Sequence, residues 1–148
     1  MKELEIYIDG ASKGNPGPAG AGVIFFRDGE VLKNISTYLG IQTNNFAEYM
    51  ALIFALQEAL LFKAKALTIY SDSQLLCRQI NNEYKIKSAN LTGLYNQAQH
   101  LLCSFDKFQI KYIPRERNRG ADKLAKKACL GVKQARREYL TQVEVVAP

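Results

Sequence analysis

Apolar and polar positions alternate over residues 3–9, ELEIYID, which is the period-two signature of a half-buried strand. A second strand is expected over residues 22–26 and a third over 31–39, with Arg27-Asp28-Gly29-Glu30 as the turn between them. Together the three predict an antiparallel meander. The stretch from Gly10 to Gly22 holds five of the ten glycines and two of the four prolines, so it is expected to be turn-rich, with Asp9 closing the first strand. The period then changes. Phe46, Tyr49, Met50, Ile53, Leu56 and Leu60 recur at helical spacing and predict a helix over residues 44–61. A short apolar strand follows at 66–71, then helices at 73–80 and 88–104, a strand at 107–113, a basic loop at 114–120 and a last helix at 121–130.

The last two strands each follow a helical crossover, which favours parallel pairing. The expected fold is α/β: a five-stranded mixed sheet with helices on both faces. There is no internal repeat and no low-complexity tract. A chain of 148 residues suits one domain. We take residues 1–130 as that domain and 131–148 as a basic extension, in which 133–140 restart the helix, VEVV adds a strand, or the whole is a loose tail. No apolar run reaches the roughly 18–20 residues of a membrane span, and no signal peptide is read at the N-terminus. Cys77, Cys103 and Cys129 are odd in number and far apart, with no CxxC pair, so neither zinc nor a disulfide framework is expected. A reduced, cytoplasmic setting and a monomer are the expectation.

Charge changes the picture more than composition does. The formal net charge is +6, but residues 1–60 carry four Lys/Arg against seven Asp/Glu, while residues 61–148 carry sixteen against seven. Residues 107–137 alone hold eleven basic residues against Glu116 and Asp122. An acidic half joined to a basic half suggests a polyanionic partner.

Four acids stand at element ends. Each has an ordinary explanation: Asp9 as a turn former before Gly10, Glu48 as the acid of a capping box begun by Asn45, Asp72 as a helix N-cap, and Asp122 as a first-turn acid facing the helix dipole. Two features argue for more. Ile6-Tyr7-Ile8-Asp9 and Ile69-Tyr70-Ser71-Asp72 match, so parallel neighbours in register would hold the two carboxylates about 5 Å apart on one side. Glu48 shares a helix face with Leu52 and Ala55, which should turn inward, and a buried carboxylate needs a partner. Carboxylate oxygens without His or Cys suit Mg²⁺, with Mn²⁺ as a substitute. Two such ions beside a basic surface are a recipe for phosphodiester chemistry.

These residues resemble a known family, type 1 ribonuclease H. The segments IYIDGASKGNPGPAGAGV, QTNNFAEYMAL, IYSDSQLL and RNRGADKLAKKA carry the resemblance in order, from about Ile6 to Leu130. The resemblance implies a ribonuclease H-like fold, strands one to three antiparallel and one, four and five parallel. It implies hydrolysis of the RNA strand of RNA–DNA hybrids by a two-metal-ion mechanism, leaving 3′-hydroxyl and 5′-phosphate ends. The metal-binding, catalytic set falls on Asp9, Glu48, Asp72 and Asp122, with Asp9 bridging both ions, Glu48 and Asp72 completing the site of the attacking water, and Asp122 holding the ion near the leaving oxygen. By position, Gly10, Asn15, Asn44 and Gln74 contact base edges and 2′-hydroxyls, the groups that distinguish RNA from DNA. Thr43 and Asn45 grip the DNA-strand phosphate or brace the site; helix capping is their ordinary reading.

The chain departs from the family pattern in two places. Many members carry a His in the loop before the fourth acid; here the loop reads IPRERNRGAD, and Arg115, Arg117, Asn118 and Arg119 are placed against the substrate instead. Arg cannot shuttle a proton near neutral pH, so such a role is electrostatic. The one histidine, His100, is read as structural. Residues 77–100 hold only Arg78, Lys85 and Lys87 as basic residues, so the basic handle of some members is missing. A same-fold nuclease acting mainly on double-stranded RNA or another nucleic acid, and a non-catalytic binding module, stay open as alternatives.

Overall fold

A computed structural model describes residues 3–131; expectations for residues 132–148 lie outside the described residues. Five strands, β1 (Glu3–Ser12), β2 (Gly17–Arg27), β3 (Glu30–Gln42), β4 (Ala66–Ser71) and β5 (Lys107–Tyr112), form one sheet in the order β3-β2-β1-β4-β5. The first three pair antiparallel, and β4 and β5 join in parallel. Helices α1 (Asn44–Leu61), α2 (Gln74–Ile80) and α3 (Ala89–Leu102) lie on one side, and α4 (Arg119–Ala128) packs on β2, β1 and β3. A 3₁₀ turn at Arg115–Arg117 precedes α4.

The core follows the period-two pattern of β1. Leu4, Ile6 and Ile8 are buried against Tyr49, Leu52, Ile53 and Leu56 of α1 and against Leu67 and Ile69 of β4. Ala51, Ala55 and Ala59 of α1 are also buried, and α3 packs against α1. Asp28 and Gly29 form the predicted turn with φ of 52° and 81°, as a tight hairpin between right-twisted strands requires.

The glycine-rich stretch departs from expectation. β1 runs on past Asp9 to Ser12, and β2 begins at Gly17, so only residues 13–16 turn. Gly14 sits in that turn with φ of 97°, whereas Gly20 and Gly22 serve packing. A Cβ on Gly22 would lie 2.3 Å from the Ala121 carbonyl oxygen, and one on Gly20 would lie 2.5 Å from that of Ala125. β2 is stripped of side chains where α4 lies on it. The small-residue run encodes a close strand–helix approach, and composition alone cannot separate that from a turn.

Candidate active site

The first acid comes from the middle of β1. The parallel ladder pairs Tyr7 with Tyr70 and Ile8 with Ser71, so the next step sets Asp9 beside Asp72. The matched tyrosines stack at 4.7 Å between ring centroids. The third acid arrives because α1 touches β1: a Cβ on Gly10 would lie 2.3 Å from the Glu48 amide nitrogen. With no side chain there, the Gly10 N–H donates to Glu48 Oε2 at 3.1 Å. Glu48 is therefore turned inward, with 5% exposure, and does not close a capping box. Thr43 caps α1, its Oγ1 accepting from the Phe46 N–H at 3.2 Å.

Nor does Asp72 cap α2. Ser73 does so, its Oγ accepting from the Leu76 N–H, while the Ser71 hydroxyl accepts from the Ser73 N–H. Asp72 Oδ2 is thereby left buried and without a hydrogen-bond partner. One carboxylate oxygen each from Asp9, Glu48 and Asp72 lies within 4.8 Å of the others. Burial, then the charges of Asp72 and Asp122, push the Asp9 carboxyl up to about 8. Burial and Asp9 raise Glu48 well above the usual carboxylate range. Among the described residues no cation pairs with any of the three. All-oxygen donors, mutual repulsion and an unpartnered oxygen together fit a hard divalent cation.

Asp122 joins from the opposite layer. It sits in the first turn of α4, close enough to raise Asp9, and its Oδ2 pairs with Lys126 Nζ at 3.0 Å. Beside it lies a groove of about 610 Å³ lined by Gly10, Lys13, Asn44, Arg115, Asp122, Lys123, Lys126 and Lys127, among others. The structure thus brings Gly10, Asn44 and Arg115 into one groove with Asp122. Asn15 serves Asn44, its Oδ1 accepting from the Asn44 N–H at 3.0 Å. Thr43, Asn45 and Asn15 line a second groove, with Ser88 and Leu91. Gln74, Arg117 and Arg119 are exposed but line neither groove.

Asn118 is a correction. Its side chain is 1% exposed, and its Nδ2 donates to the Ile8 carbonyl at 2.8 Å, so it faces the sheet rather than a substrate. His100 stands exposed in the last turn of α3. Lys13 was not singled out in the sequence; it reaches the groove because the β1–β2 turn is only four residues long, and the strand pairing on both sides of it was the missing signal.

The profile of the family described as reverse transcriptase-like matches residues 7–128. The bifunctional protein Rv2228c of Mycobacterium tuberculosis is 36% identical over 147 residues, covering 98% of this chain and 40% of that protein. A ribonuclease HI of Halobacterium salinarum is 40% identical over 126 residues, covering 84% of this chain and 63% of the relative. Among solved structures, LC11-RNase H1 in complex with an RNA/DNA hybrid superposes with a TM-score of 0.81 at 37% identity, over 85% of this chain and 96% of that one. The chain belongs to the reverse transcriptase-like family and, within it, to the type 1 ribonuclease H group. It spans about two fifths of the length of its mycobacterial relatives.

Proposed function

We propose that the chain hydrolyses the RNA strand of RNA–DNA hybrids, leaving 3′-hydroxyl and 5′-phosphate ends. The observation that carries this reading is the convergence of three carboxylates from β1, α1 and the end of β4 within 4.8 Å, uncompensated, beside a lysine-lined groove. Asp9, Glu48, Asp72 and Asp122 would hold two Mg²⁺ ions, or Mn²⁺ in their place. When bound, such ions neutralise the acids and lend positive charge to the phosphate oxygens and to an attacking water.

The rest falls to side chains and backbone. The Gly10 N–H fixes one Glu48 oxygen and so aims the other. Lys13, Lys123, Lys126, Lys127 and Arg115 supply charge for phosphates along the groove. Gly10, Asn44 and Gln74, with Asn15 holding Asn44, are the proposed contacts to base edges and 2′-hydroxyls. Thr43 and Asn45 face the second groove, where the DNA strand would run. Arg115, Arg117 and Arg119 act by charge alone, since a guanidinium keeps its proton near neutral pH. The same reading takes residues 1–130 as the hydrolytic domain, acting as a monomer, and 131–148 as a basic extension. The free Cys77, Cys103 and Cys129 fit a reducing, cytoplasmic setting.

The test is a panel of end-labelled RNA–DNA hybrid, duplex RNA, duplex DNA and single strands, each in Mg²⁺ and in Mn²⁺. Cleavage of the hybrid's RNA strand above all others is the expected result. Preference for duplex RNA would replace the substrate, and binding without turnover in both metals would replace the activity.

A further inference from the structure

Asn118 precedes α4 but does not do what Asn ordinarily does there. A side-chain oxygen at that position usually accepts from the first helical N–H groups; the side chain of Asn118 makes no capping bond. It reaches across to β1 instead, where Nδ2 meets the Ile8 carbonyl at 2.8 Å, a contact spanning 110 positions of sequence. Ile8 and Ser71 are the last pair of the parallel ladder, and the Ile8 carbonyl belongs to the peptide unit that leads into Asp9. The main chain of Asn118 works in the other direction: its carbonyl accepts from the Asp122 N–H at 3.0 Å, and its own N–H donates to the Arg115 carbonyl at 3.0 Å. One residue thus ties the backbone entering Asp9 to the backbone of Asp122, while also closing the basic turn that contributes Arg115.

The arrangement is costly as mere packing. The side chain is 1% exposed, yet its Oδ1 has no hydrogen-bond partner. A buried amide oxygen left bare is destabilising. The bond to Ile8 fixes the side chain in place, while the bare oxygen offsets part of the stability that bond contributes. The two acids it connects come from opposite layers: Asp9 from the sheet, Asp122 from a helix that lies on the glycines of β2. That helix is bonded to the sheet further along, by Ser36 Oγ donating to the Leu124 carbonyl at 2.8 Å and Cys129 Sγ donating to the Ala11 carbonyl at 3.5 Å. At the end that carries Asp122 the bond to the sheet is that of Asn118.

We propose that Asn118 is a positioning residue, setting Asp122 against Asp9 so that the fourth acid can share a cation with the first. This rests on the hydrolytic reading above and adds to it a residue that touches neither substrate nor ion. The test uses the metal-free full chain. Mn²⁺ binding is titrated by electron paramagnetic resonance in wild type, Asn118→Ala and Asn118→Ser, and hybrid cleavage is followed against Mg²⁺ concentration.

Loss of a partner that orients metal ligands typically weakens binding about 10–100-fold. Asn118→Ala is expected to weaken the ion that involves Asp122 by about tenfold and to leave the ion at Asp9, Glu48 and Asp72 within about twofold. Its kcat should fall at low Mg²⁺ and recover at high Mg²⁺, with KM for the hybrid little changed. Asn118→Ser, with a shorter hydroxyl donor, should fall between the two, and it carries the titration if the alanine variant does not fold. A merely structural role would lower the melting temperature and leave both Mn²⁺ affinities and the Mg²⁺ midpoint where they were; that result overturns the proposal. Failure of wild type itself to bind Mn²⁺ or to cleave would instead overturn the hydrolytic reading, and the positioning role with it.

Discussion

The buried triad and the α4 region contribute to the same site by opposite means. Asp9, Glu48 and Asp72 are held by strand register, by a helix pressed onto Gly10 and by a serine that takes over helix capping; none of them has a cationic partner among the described residues. Asp122 sits among Lys123, Lys126 and Lys127 at the edge of an open groove and is already paired with Lys126. The triad concentrates negative charge in a dry place, at a cost in stability. The α4 region spreads positive charge over a wet one, at almost none. A cation is needed to relieve the first, and a polyanion to occupy the second.

Removing charge from the triad should have the largest effect. Asp9→Asn is expected to lower hybrid cleavage at least about a thousandfold, equivalent to about 4 kcal/mol of barrier, with the fold retained by circular dichroism. Cleavage near the wild-type rate would show that the triad is not the reacting centre.

The contact between the layers should break next. Gly22→Ala sets a Cβ 2.3 Å from the Ala121 carbonyl oxygen, against backbone that cannot swing aside. Such overpacking typically costs about 1–3 kcal/mol. The variant should melt several degrees lower and need more Mg²⁺ for activity, because α4 carries Asp122. An unchanged melting curve would mean that α4 does not rest on β2 at this point.

The triad also makes stability depend on pH. An acid whose folded-state pKa is raised contributes stability below its unfolded value and loses it as the pH rises towards the folded value. Asp9 moves from 3.8 to about 8, and Glu48 moves in the same direction. Without divalent ions the protein should therefore lose stability progressively from about pH 4 to pH 8. Added Mg²⁺ should restore it at the upper end, and Asp9→Asn should flatten the slope. Thermal melts across that range, with chelator and with Mg²⁺, measure this directly. A metal-free protein equally stable at both ends would contradict the uncompensated triad.

The smallest effect belongs to the groove. Lys126→Ala should weaken hybrid binding a few-fold without sequence preference. It should also make the plot of log K against log salt shallower by about 0.9, the value of one phosphate contact on duplex. An unchanged slope would move Lys126 off the interface. Its ion pair with Asp122 leaves the ammonium well exposed and is worth about 1 kcal/mol or less, so stability should hardly change.

Much of this molecule could be read from its residues in order. Period-two alternation in β1, helical spacing in α1 and the order of elements define a mixed sheet with parallel additions, because burial on one face leaves a mark at every second or every third to fourth residue. The matched Tyr-x-Asp segments, one within β1 and one at the end of β4, place two carboxylates side by side once the strands are parallel and in register. The inward stripe of α1 turns Glu48 towards them. These are local patterns, and local sequence determines them.

Three things were decided only by the packing of distant elements. The glycines at 20 and 22 read equally well as turns until α4 lies on them, because a missing side chain does not say what occupies its place. Asp72 could have been a cap until Ser73 took that role and left its oxygen bare. Asn118 sat among arginines in a basic turn, where polar residues ordinarily face solvent or substrate. Its amide instead meets a carbonyl 110 positions earlier, and no pattern confined to one stretch of chain records which carbonyl another layer leaves within reach. The sequence by itself pointed to the four acids and to a basic segment around the last of them. The tertiary structure decided which of them are left unpaired, and that imbalance is the physical basis for expecting a metal ion there.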